Sequence, residues 1–262
     1  MPRSGLCLSL CCLIGCTSDS VPRSDASVHD DASTSMESPE PNPLRIFVYS
    51  RTVGFRHDTI EPGQKVIAEI AARHKATVAS TDDPAQLVAA LAQADVVVFL
   101  MTTGDVLDDA QQTQLESFIR NGGGFVGVHS AADTEYDWPF YETLNGAWFA
   151  DHPAIQPATL VRESADHPAV SFLPATWQRT DEWYNFRTNP RAKVQVLLRL
   201  DEASYQGGTM GDDHPIVWAH TIDRGRAFYT GLGHTQESWQ EPLFLQHIEA
   251  ALLWAGGVHS QP

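Results

Sequence analysis

Cysteine is nearly absent from this chain. Its 262 residues include four cysteines, and all of them lie within the first sixteen positions, at Cys7, Cys11, Cys12 and Cys16. The rest of the sequence therefore has no disulfide framework, no thiolate metal site and no cysteine nucleophile. Any chemistry downstream of residue 16 must use other side chains.

Basic residues are also few and scattered. Lys and Arg together number 17 against 33 Asp and Glu, which gives a formal net charge of −16 at pH 7. No Lys/Arg cluster offers a surface for phosphate groups, so the sequence argues against nucleic acid or anionic lipid as a partner. An acidic surface suits the solubility of many protein classes, so the charge alone indicates no substrate.

The apolar run at the N-terminus is short. It extends from Gly5 to Gly15 after Arg3, which is too short for a transmembrane helix and typical of a secretory signal. Its end, Leu13-Ile14-Gly15-Cys16, resembles the lipobox of bacterial lipoproteins, in which Cys16 is lipidated and becomes the mature N-terminus. The acyl chains would then anchor the protein to a lipid bilayer. A plain secretory signal, cut at a small residue, is the alternative.

The residues after Cys16 predict the location of the protein and the start of its domain. Thr17 and Ser18 follow the cysteine, so no Asp stands directly after it. By resemblance to the lipoprotein sorting rule, this favours the outer membrane. We expect lipid anchoring in the cell envelope, at the periplasmic face of the outer membrane or at the cell surface. Residues 17–43 are rich in Ser, Asp, Pro and Glu, which predicts a disordered tether, and residues 44–258 remain as one folded domain.

Strand and helix patterns alternate from residue 44 to residue 133. Apolar runs predict strands at 44–50, 77–80, 95–101 and 125–129, and helical spacing predicts helices at 61–74, 84–90 and 109–120. This alternation is typical of the α/β class, with a doubly wound, mostly parallel sheet flanked by helices. The second half is irregular and β-rich, and it closes with a predicted helix at 242–255 that has His247 near its surface.

Three histidines follow strands of the predicted domain. His57 follows the first strand, His129 ends the strand that begins after Gly122-Gly123-Gly124, and His234 closes Gly231-Leu232-Gly233-His234. Parallel sheets bind ligands at the carboxyl ends of their strands, so histidines there indicate chemistry. One such residue alone could be a satisfied core or surface imidazole, but three at one edge favour a functional site.

A divalent metal ion is a possible cofactor. Histidine-rich loops with Asp and no Cys suit nitrogen and oxygen ligands, and the candidates are His129, His152 and His234. No HExxH or similar short-spaced motif supports them, so the metal stays an open alternative. His152, His167 and His214 each precede proline, and an extended turn explains that pattern equally well.

Two segments combine carboxylates with aromatic side chains. They are Asp181-Glu182-Trp183-Tyr184 and the stretch from Asp133 to Trp138. Aromatic faces stack on the C–H face of a sugar while carboxylates bind its hydroxyls, so the pattern favours a carbohydrate ligand. Core packing is the alternative role for Trp138 and Trp183.

Two common active-site motifs are missing. The sequence has no G-x-S-x-G elbow, and Ser130 directly follows His129, so it contains no convincing serine nucleophile. The run Gly122-Gly123-Gly124 precedes a strand, whereas a phosphate-binding loop follows a strand and opens a helix. We interpret this run as the end of a helix.

Seven segments in order resemble the ThuA-like family, named for trehalose utilisation. They are Gly54–His57, Thr102–Asp105, Gly122–Trp138, Phe149–Pro153, Thr180–Phe186, Gly207–His220 and Gly225–His234. The resemblance covers about Leu44 to Ala255 and implies a fold similar to class I glutamine amidotransferases. The elbow cysteine of those enzymes is missing here, which excludes glutamine hydrolysis by that route.

The resemblance also implies a role in sugar catabolism. ThuA-type proteins work beside dehydrogenases that oxidise a sugar to its 3-keto form. A sugar 3-dehydrogenase is therefore an expected partner, and 3-keto-glycosides or disaccharides are expected substrates. A 3-ketone acidifies the C2 proton, so a general base and an electrophile could drive elimination of the glycosidic group.

Two hypotheses follow for the function. The first is an exported hydrolase or lyase with His129, Glu182 and His234 as acid–base groups. Its candidate substrate-binding residues are Arg56, His57, Asp133, Trp138, Asp181, Tyr184 and His214. The second is a non-catalytic sugar-binding lipoprotein that delivers its ligand to a transporter or partner. Convergence of the candidate residues in one pocket is the observation that the site assignment requires.

Overall fold

The computed structural model describes residues 43–258. The predicted signal segment 1–16 with Cys16, and the predicted tether up to residue 42, lie outside the described residues. Within residues 43–258, none of the helices has the length and apolar character needed to span a membrane.

One nine-stranded sheet organises the domain, and a two-stranded sheet lies beside it. In chain order the elements are β1 (Arg45–Tyr49), α1 (Ile60–Arg73), β2 (Thr77–Thr81), α2 (Pro84–Leu91), β3 (Val96–Leu100), α3 (Asp109–Arg120), β4 (Gly124–Val128), α4 (Pro139–Asn145), β5 (Phe149–Asp151), β6 (Gln156–Arg162), β7 (Thr176–Asp181), β8 (Asn185–Phe186), β9 (Gln195–Asp201), β10 (His214–Ile222), β11 (Gly225–Thr230) and α5 (Pro242–Ala255). The large sheet has the order β2-β1-β3-β4-β11-β10-β9-β6-β7, and β5 pairs with β8.

The first half of the large sheet is parallel and doubly wound. Strands β2, β1, β3, β4 and β11 run in one direction. Helix α1 packs with α5 and α2 packs with α3, and right-handed crossovers put these two pairs on opposite faces. Because both faces are covered, every residue of β3 and β4 is buried, as their continuous apolar sequence predicts.

Local sequence fixes where the helices begin and end. Asp83 caps α2 by accepting a backbone N–H, and Pro84 occupies the first helical position. Asp108 and Gln111 form a reciprocal capping box at the start of α3, which ends before Gly122 with a φ of +112°. The predicted helices of the first half are therefore confirmed to within one residue at most ends.

The second half of the sheet is antiparallel and curls. Strands β10, β9, β6 and β7 continue outward from β11, with register shifts between β9 and β10 that increase bending. Strand β7 is four positions from β11, a distance of about 19 Å in a flat sheet. Its last residue, Asp181, nevertheless accepts the Gly233 N–H after β11 at 2.8 Å. The sheet therefore closes toward itself at this edge.

Three features differ from the sequence-based expectations. Helix α4 and the pair β5–β8 were not predicted, because their segments are too short for a periodic pattern. The prediction that His247 lies near the surface is wrong, since its side chain is completely buried. Its Nδ1 donates to the Ala169 carbonyl at 2.7 Å and its Nε2 faces the Thr230 hydroxyl at 3.2 Å. A neighbouring loop and strand thus cover α5 on two sides.

Candidate functional site

Four side chains from distant parts of the sequence meet at the carboxyl edge of the parallel strands. They are His57 after β1, His129 after β4, Glu182 after β7 and His234 after β11, and we call them the edge cluster. Each offers one ligand atom, and these four atoms all lie within 4.8 Å of one another. The convergence that the site assignment requires is present in the structure.

His129 occupies the elbow between β4 and a short 3₁₀ turn. Its φ of +50° lies in the left-handed region, which is uncommon for residues other than glycine and is often found at functional sites. The imidazole is completely buried. Its Nδ1 lies 3.2 Å from the Gly231 carbonyl oxygen, which can only accept, so Nδ1 carries a proton. Nε2 is thereby directed into the edge cluster.

His234 is held by the backbone of its own loop. Gly233 adopts a φ of +110°, and a Cβ there would lie 2.9 Å from the Phe244 ring. The buried Asp181 carboxylate accepts the N–H groups of Gly233 at 2.8 Å and His234 at 3.0 Å. Arg179 lies 3.2 Å from the same carboxylate. Asp181 therefore fixes the His234 loop and has no exposed surface for a substrate.

Glu182 places one carboxylate oxygen among the imidazoles. Its Oε2 lies 3.2 Å from His129 Nε2 and 3.2 Å from His234 Nδ1, and those two nitrogens are 3.0 Å apart. Burial by itself raises the pKa of Glu182, but its contacts with the His129 and His234 imidazoles hold it well below its usual value. Burial likewise disfavours protonated His234, yet Glu182 raises the pKa of that imidazole overall. The carboxylate is thus ionised at neutral pH.

His57 covers the cluster from the loop after β1. Its ring packs edge-on against His129 at 5.2 Å and His234 at 5.1 Å between centroids. Burial, together with the neighbouring imidazoles, lowers the pKa of His57 to about 3. His57 is therefore neutral at physiological pH and retains a lone pair on one nitrogen.

His152 contacts the cluster from outside. Its Nδ1 lies 3.1 Å from Glu182 Oε1 and 2.9 Å from the Pro153 carbonyl oxygen. Because the carbonyl can only accept, this nitrogen carries the proton, and in the neutral ring Nε2 has the lone pair. The side chain is 41% exposed, compared with 19% for His234. His152 is therefore the more accessible imidazole at this edge.

The family relationship is given by comparison with known proteins. The sequence matches the family model named ThuA and described as "Trehalose utilisation" over residues 45–255. The chain belongs to the ThuA family. Among proteins with curated functions, the chain has no significant match.

Solved structures support the same fold for this ThuA protein. A ThuA-like protein from Bacteroides uniformis is 22% identical with a TM-score of 0.71, over 84% of this chain and 94% of that one. A ThuA-like protein from Parabacteroides merdae is 19% identical with a TM-score of 0.71, over 84% and 92%. A β-galactosidase from Bacillus circulans sp. alkalophilus is 14% identical with a TM-score of 0.53, over 82% of this chain but 31% of its own. At these identities the likeness concerns the fold.

Several predicted site residues of the ThuA domain lie at or beside the edge cluster. His57, His129, Glu182 and His234 form it, and the Tyr184 ring packs on His129 at 4.3 Å between centroids. Asp133 follows β4 and accepts the Tyr136 hydroxyl at 2.6 Å, while burial raises the pKa of its carboxyl. The group that could hold a metal ion includes His129 and His234, and it contains His57 and Glu182 in place of His152.

Other predicted binding residues have different partners. Trp138 packs into the core against Phe140 and Tyr141. Arg56 points to Glu61 at the start of α1, with 2.5 Å between the charged groups. His214 is completely buried, and its Nε2 donates to the Tyr184 carbonyl at 2.8 Å, which supports the Glu182 loop from behind.

Sequence reasoning overlooked Phe55 and Phe149 at this edge. Phe55 is 68% exposed, and its ring packs edge-on against His57 at 4.9 Å between centroids. The face of an aromatic ring beside polar groups has the chemistry to stack on an amphipathic ligand. The segment Gly54-Phe55-Arg56-His57 contained the signal, because it belongs to the family resemblance.

A cleft of about 540 Å³ lies elsewhere, between α2 and α3. Its lining includes Leu91, Asp95, Phe118 and Gly123. Asp95 is already paired with Arg45 at 2.7 Å, and the cleft lies at the amino ends of β3 and β4. The imidazoles and the carboxylate of the edge cluster lie at the opposite edge, so we assign the site there.

Proposed function

We propose that this ThuA protein is a carbohydrate-processing lyase or hydrolase that removes the glycosidic group from 3-keto-glycosides or 3-keto-disaccharides. The observation that carries the proposal is the convergence of His57, His129, Glu182 and His234, with His152 beside them, at the carboxyl edge of the sheet. The family's description as trehalose utilisation supports a sugar substrate.

The reaction needs a base for the C2 proton, and His152 meets the requirements. Its Nδ1–H is oriented by Glu182 Oε1 and the Pro153 carbonyl, which leaves Nε2 to accept a proton. It is also the accessible imidazole, being 41% exposed. The C2–H bond breaks toward His152, and its electron pair forms an enolate with the adjacent C3 carbonyl.

An N–H proton of an edge-cluster imidazole would stabilise the developing negative charge on the ketone oxygen. One preorganised hydrogen-bond donor of this kind is worth about 10²–10³-fold in rate. The enolate then expels the C1 substituent, so that the C1–O bond breaks and a C1=C2 double bond forms. Asp133, whose carboxyl has a raised pKa, is the candidate to protonate the departing oxygen. Addition of water to the product would complete net hydrolysis.

Aromatic side chains supply a binding surface for the sugar ring. Tyr184 and Phe149 pack together at 4.2 Å between centroids on the His129 side, and Phe55 stands exposed on the His57 side. Apolar ring faces flanked by polar groups match the amphipathic surface of a sugar. Tyr184 belongs to the predicted binding set, and Phe55 and Phe149 extend it.

The proposal includes a cellular setting. An acylated Cys16 and the segment 17–43 would hold the domain in the cell envelope, where a sugar 3-dehydrogenase would supply the oxidised substrate. We expect a Cys16→Ser variant to lose labelling by a radioactive fatty acid and to leave the membrane fraction. Retention of both would contradict the anchor and leave the plain secretory signal.

The test of the function uses 3-keto-trehalose in D₂O with the full-length protein. We expect release of glucose and enzyme-dependent deuterium exchange at C2. A His152→Ala variant should lose both by about 10²-fold or more. A His74→Ala variant is the matched control, because His74 pairs with Glu249 at the C-terminal end of α1, away from the site.

The alternative function has a separate outcome. If the protein binds 3-keto-trehalose, and neither glucose release nor C2 exchange occurs with any divalent metal added, the enzyme proposal fails. The non-catalytic sugar-binding function would then stand. Equal activity of the His152→Ala and His74→Ala variants would remove His152 from the mechanism.

A further inference from the structure

We infer that the edge cluster is a metal centre in which His129 Nε2, His234 Nδ1 and Glu182 Oε2 bind one divalent transition-metal ion, with His57 as the fourth ligand. Two imidazoles and one carboxylate on one side of an ion form a common catalytic ligand set, and a third imidazole completes an N₃O site. Metal binding does not depend on the proposed function, whereas the use of the ion on a ketone oxygen rests on it.

The spacing of the ligand atoms fits an ion. The three atoms lie 3.0, 3.2 and 3.2 Å from one another. Two ligands bound to Zn²⁺ at about 2.0–2.1 Å in tetrahedral geometry are about 3.3–3.4 Å apart. These three ligand atoms therefore need a movement of only a few tenths of an ångström to coordinate a metal, and the ligand atom of His57 lies within 4.8 Å of them.

The protonation of the His129 ring also favours a cation in the edge cluster. The Gly231 carbonyl fixes the proton on His129 Nδ1, so the neutral ring directs a lone pair at Nε2 toward Glu182 and His234. Glu182 Oε2 is an acceptor as well, and acceptors at 3.2 Å repel one another unless a positive charge lies between them. That charge is either a metal ion or a proton held by the His129–His234 pair, and the experiment below distinguishes the two.

The surroundings of the ligands are those of a built metal site. His129 is oriented by the Gly231 carbonyl, Glu182 by His152 through its other oxygen, and the His234 backbone by Asp181. Such outer hydrogen bonds fix ligand rotamers and tautomers at metal centres, and their loss typically weakens affinity by about 10–100-fold.

The donor set selects the class of metal. Three imidazoles and one carboxylate without sulfur suit Zn²⁺, Co²⁺, Ni²⁺, Fe²⁺ or Mn²⁺, whereas Ca²⁺ and Mg²⁺ prefer all-oxygen sites. The partly exposed side chain of His234 leaves the cluster open to solvent on one side. Through this side an oxygen ligand from the substrate could reach the ion. The ion would supply the Lewis acid that polarises the 3-keto group.

The experiment measures metal binding directly. The full-length chain carries Ser at positions 7, 11, 12 and 16 in every sample, since its four cysteines are themselves metal ligands. After chelation and dialysis, we expect titration with Zn²⁺ to give one ion per chain and an increase in melting temperature. Co²⁺ should give visible bands of a low-symmetry N/O site, and Mg²⁺ should give neither effect.

Variants separate the ion from the proton. Glu182→Gln is nearly isosteric and should weaken Zn²⁺ binding at least about tenfold, as should His234→Ala. The control variant His74→Ala also removes a histidine, but one that lies outside the edge cluster, and it should bind Zn²⁺ normally. Substoichiometric Zn²⁺ in the parent protein, or equal affinity in parent and Glu182→Gln, would overturn the metal centre. Melting curves of the chelated variants confirm that they are folded.

The outcomes also separate this inference from the proposed function. One tightly bound ion without turnover of 3-keto-trehalose would refute the function and leave the metal centre. Full turnover by the chelated protein would refute a catalytic ion and support a proton held by the His129–His234 pair.

Discussion

Two groups of buried histidines in this domain differ in what surrounds the imidazoles. The edge cluster contains three imidazoles around the Glu182 carboxylate at the solvent-facing edge of the sheet. The second group, which we call the α5 pair, is His167 and His247 on the side of the sheet covered by α5. Burial lowers the pKa of both members of the α5 pair to about 4.

The difference lies in the hydrogen-bond partners. His247 donates to the Ala169 carbonyl and faces the Thr230 hydroxyl, while His167 Nδ1 accepts the Ala169 N–H at 3.2 Å. Each tautomer of the α5 pair is therefore fixed by neutral partners. The edge cluster instead collects acceptors around a carboxylate, which calls for a cation. Burial alone thus marks neither group as functional, and the edge cluster differs from the α5 pair in the ionised carboxylate that its imidazoles share.

The largest expected effect tests the edge cluster. Glu182→Gln should lower kcat/KM for 3-keto-trehalose by about 10³-fold, because it removes both the charge facing the imidazoles and the partner of His152. Steady-state kinetics on the full-length protein measure this loss. A decrease smaller than tenfold would show that the cluster and the α5 pair are alike in being structural.

The next effect tests the α5 pair. His247→Ala should destabilise the fold by about 3 kcal/mol, because it leaves a cavity and unpairs the buried Ala169 carbonyl. Denaturant unfolding gives the free energy, and turnover per folded molecule should stay within about twofold, since that residue lies outside the mechanism. Normal stability with impaired turnover would reverse the assignment of the two groups.

The pH dependence of stability should also reflect the α5 pair. The folded-state pKa values of about 4 lie below the unfolded value of about 6.5, so below pH 6.5 the unfolded chain binds protons that the folded chain does not. Each imidazole should therefore cost about 2 kcal/mol of unfolding free energy between pH 7.5 and pH 5. His167→Asn preserves an acceptor for the Ala169 N–H and should remove one such contribution. If the difference in unfolding free energy between pH 7.5 and pH 5 were the same in His167→Asn as in the parent protein, the prediction would be wrong.

The smallest effect concerns the aromatic ring beside each group. Trp254 packs on His167 at 4.8 Å between centroids in the packed region below α5, whereas Phe55 on His57 is exposed. Phe55→Ala should raise KM for 3-keto-trehalose by about fivefold, the loss of about 1 kcal/mol of stacking, with kcat unchanged. Melting temperature serves as the control and should not change. An unaltered KM would remove Phe55 from the binding surface.

Part of this site follows from the sequence alone. Ligands of a parallel sheet bind at the carboxyl ends of its strands, which is why His57, His129 and His234, each following a strand-like run, could be grouped at one edge. The doubly wound half could also be predicted, from the alternation of strands and helices up to residue 133. Hydrophobic periodicity is a property of short sequence windows, so it can be identified without knowledge of the tertiary structure.

The remainder depends on long-range geometry. Glu182 reaches His129 only because the antiparallel half curls, and curvature from register shifts leaves no local pattern. Trp138 lies next to acidic residues in the sequence, but in the structure it packs into the core directly before helix α4. Its burial could not be predicted because α4 is too short to show a periodic pattern. The structural role of His214 likewise becomes clear only from its complete burial in the structure. Its Asp-His-Pro sequence is compatible with either a buried or an exposed side chain.

The contact between Asp181 and the amides after β11 has a consequence for how the site meets its ligand. Through the buried Asp181 carboxylate, this contact joins the end of β7 to the loop after β11. Separating the two would leave a buried charge without its partners, so a ligand cannot enter between them at low energetic cost. Access must therefore run over the loops that carry Phe55 and His152. The groups behind them are ordered during folding, so association should proceed without a slow closing step and with little loss of conformational entropy.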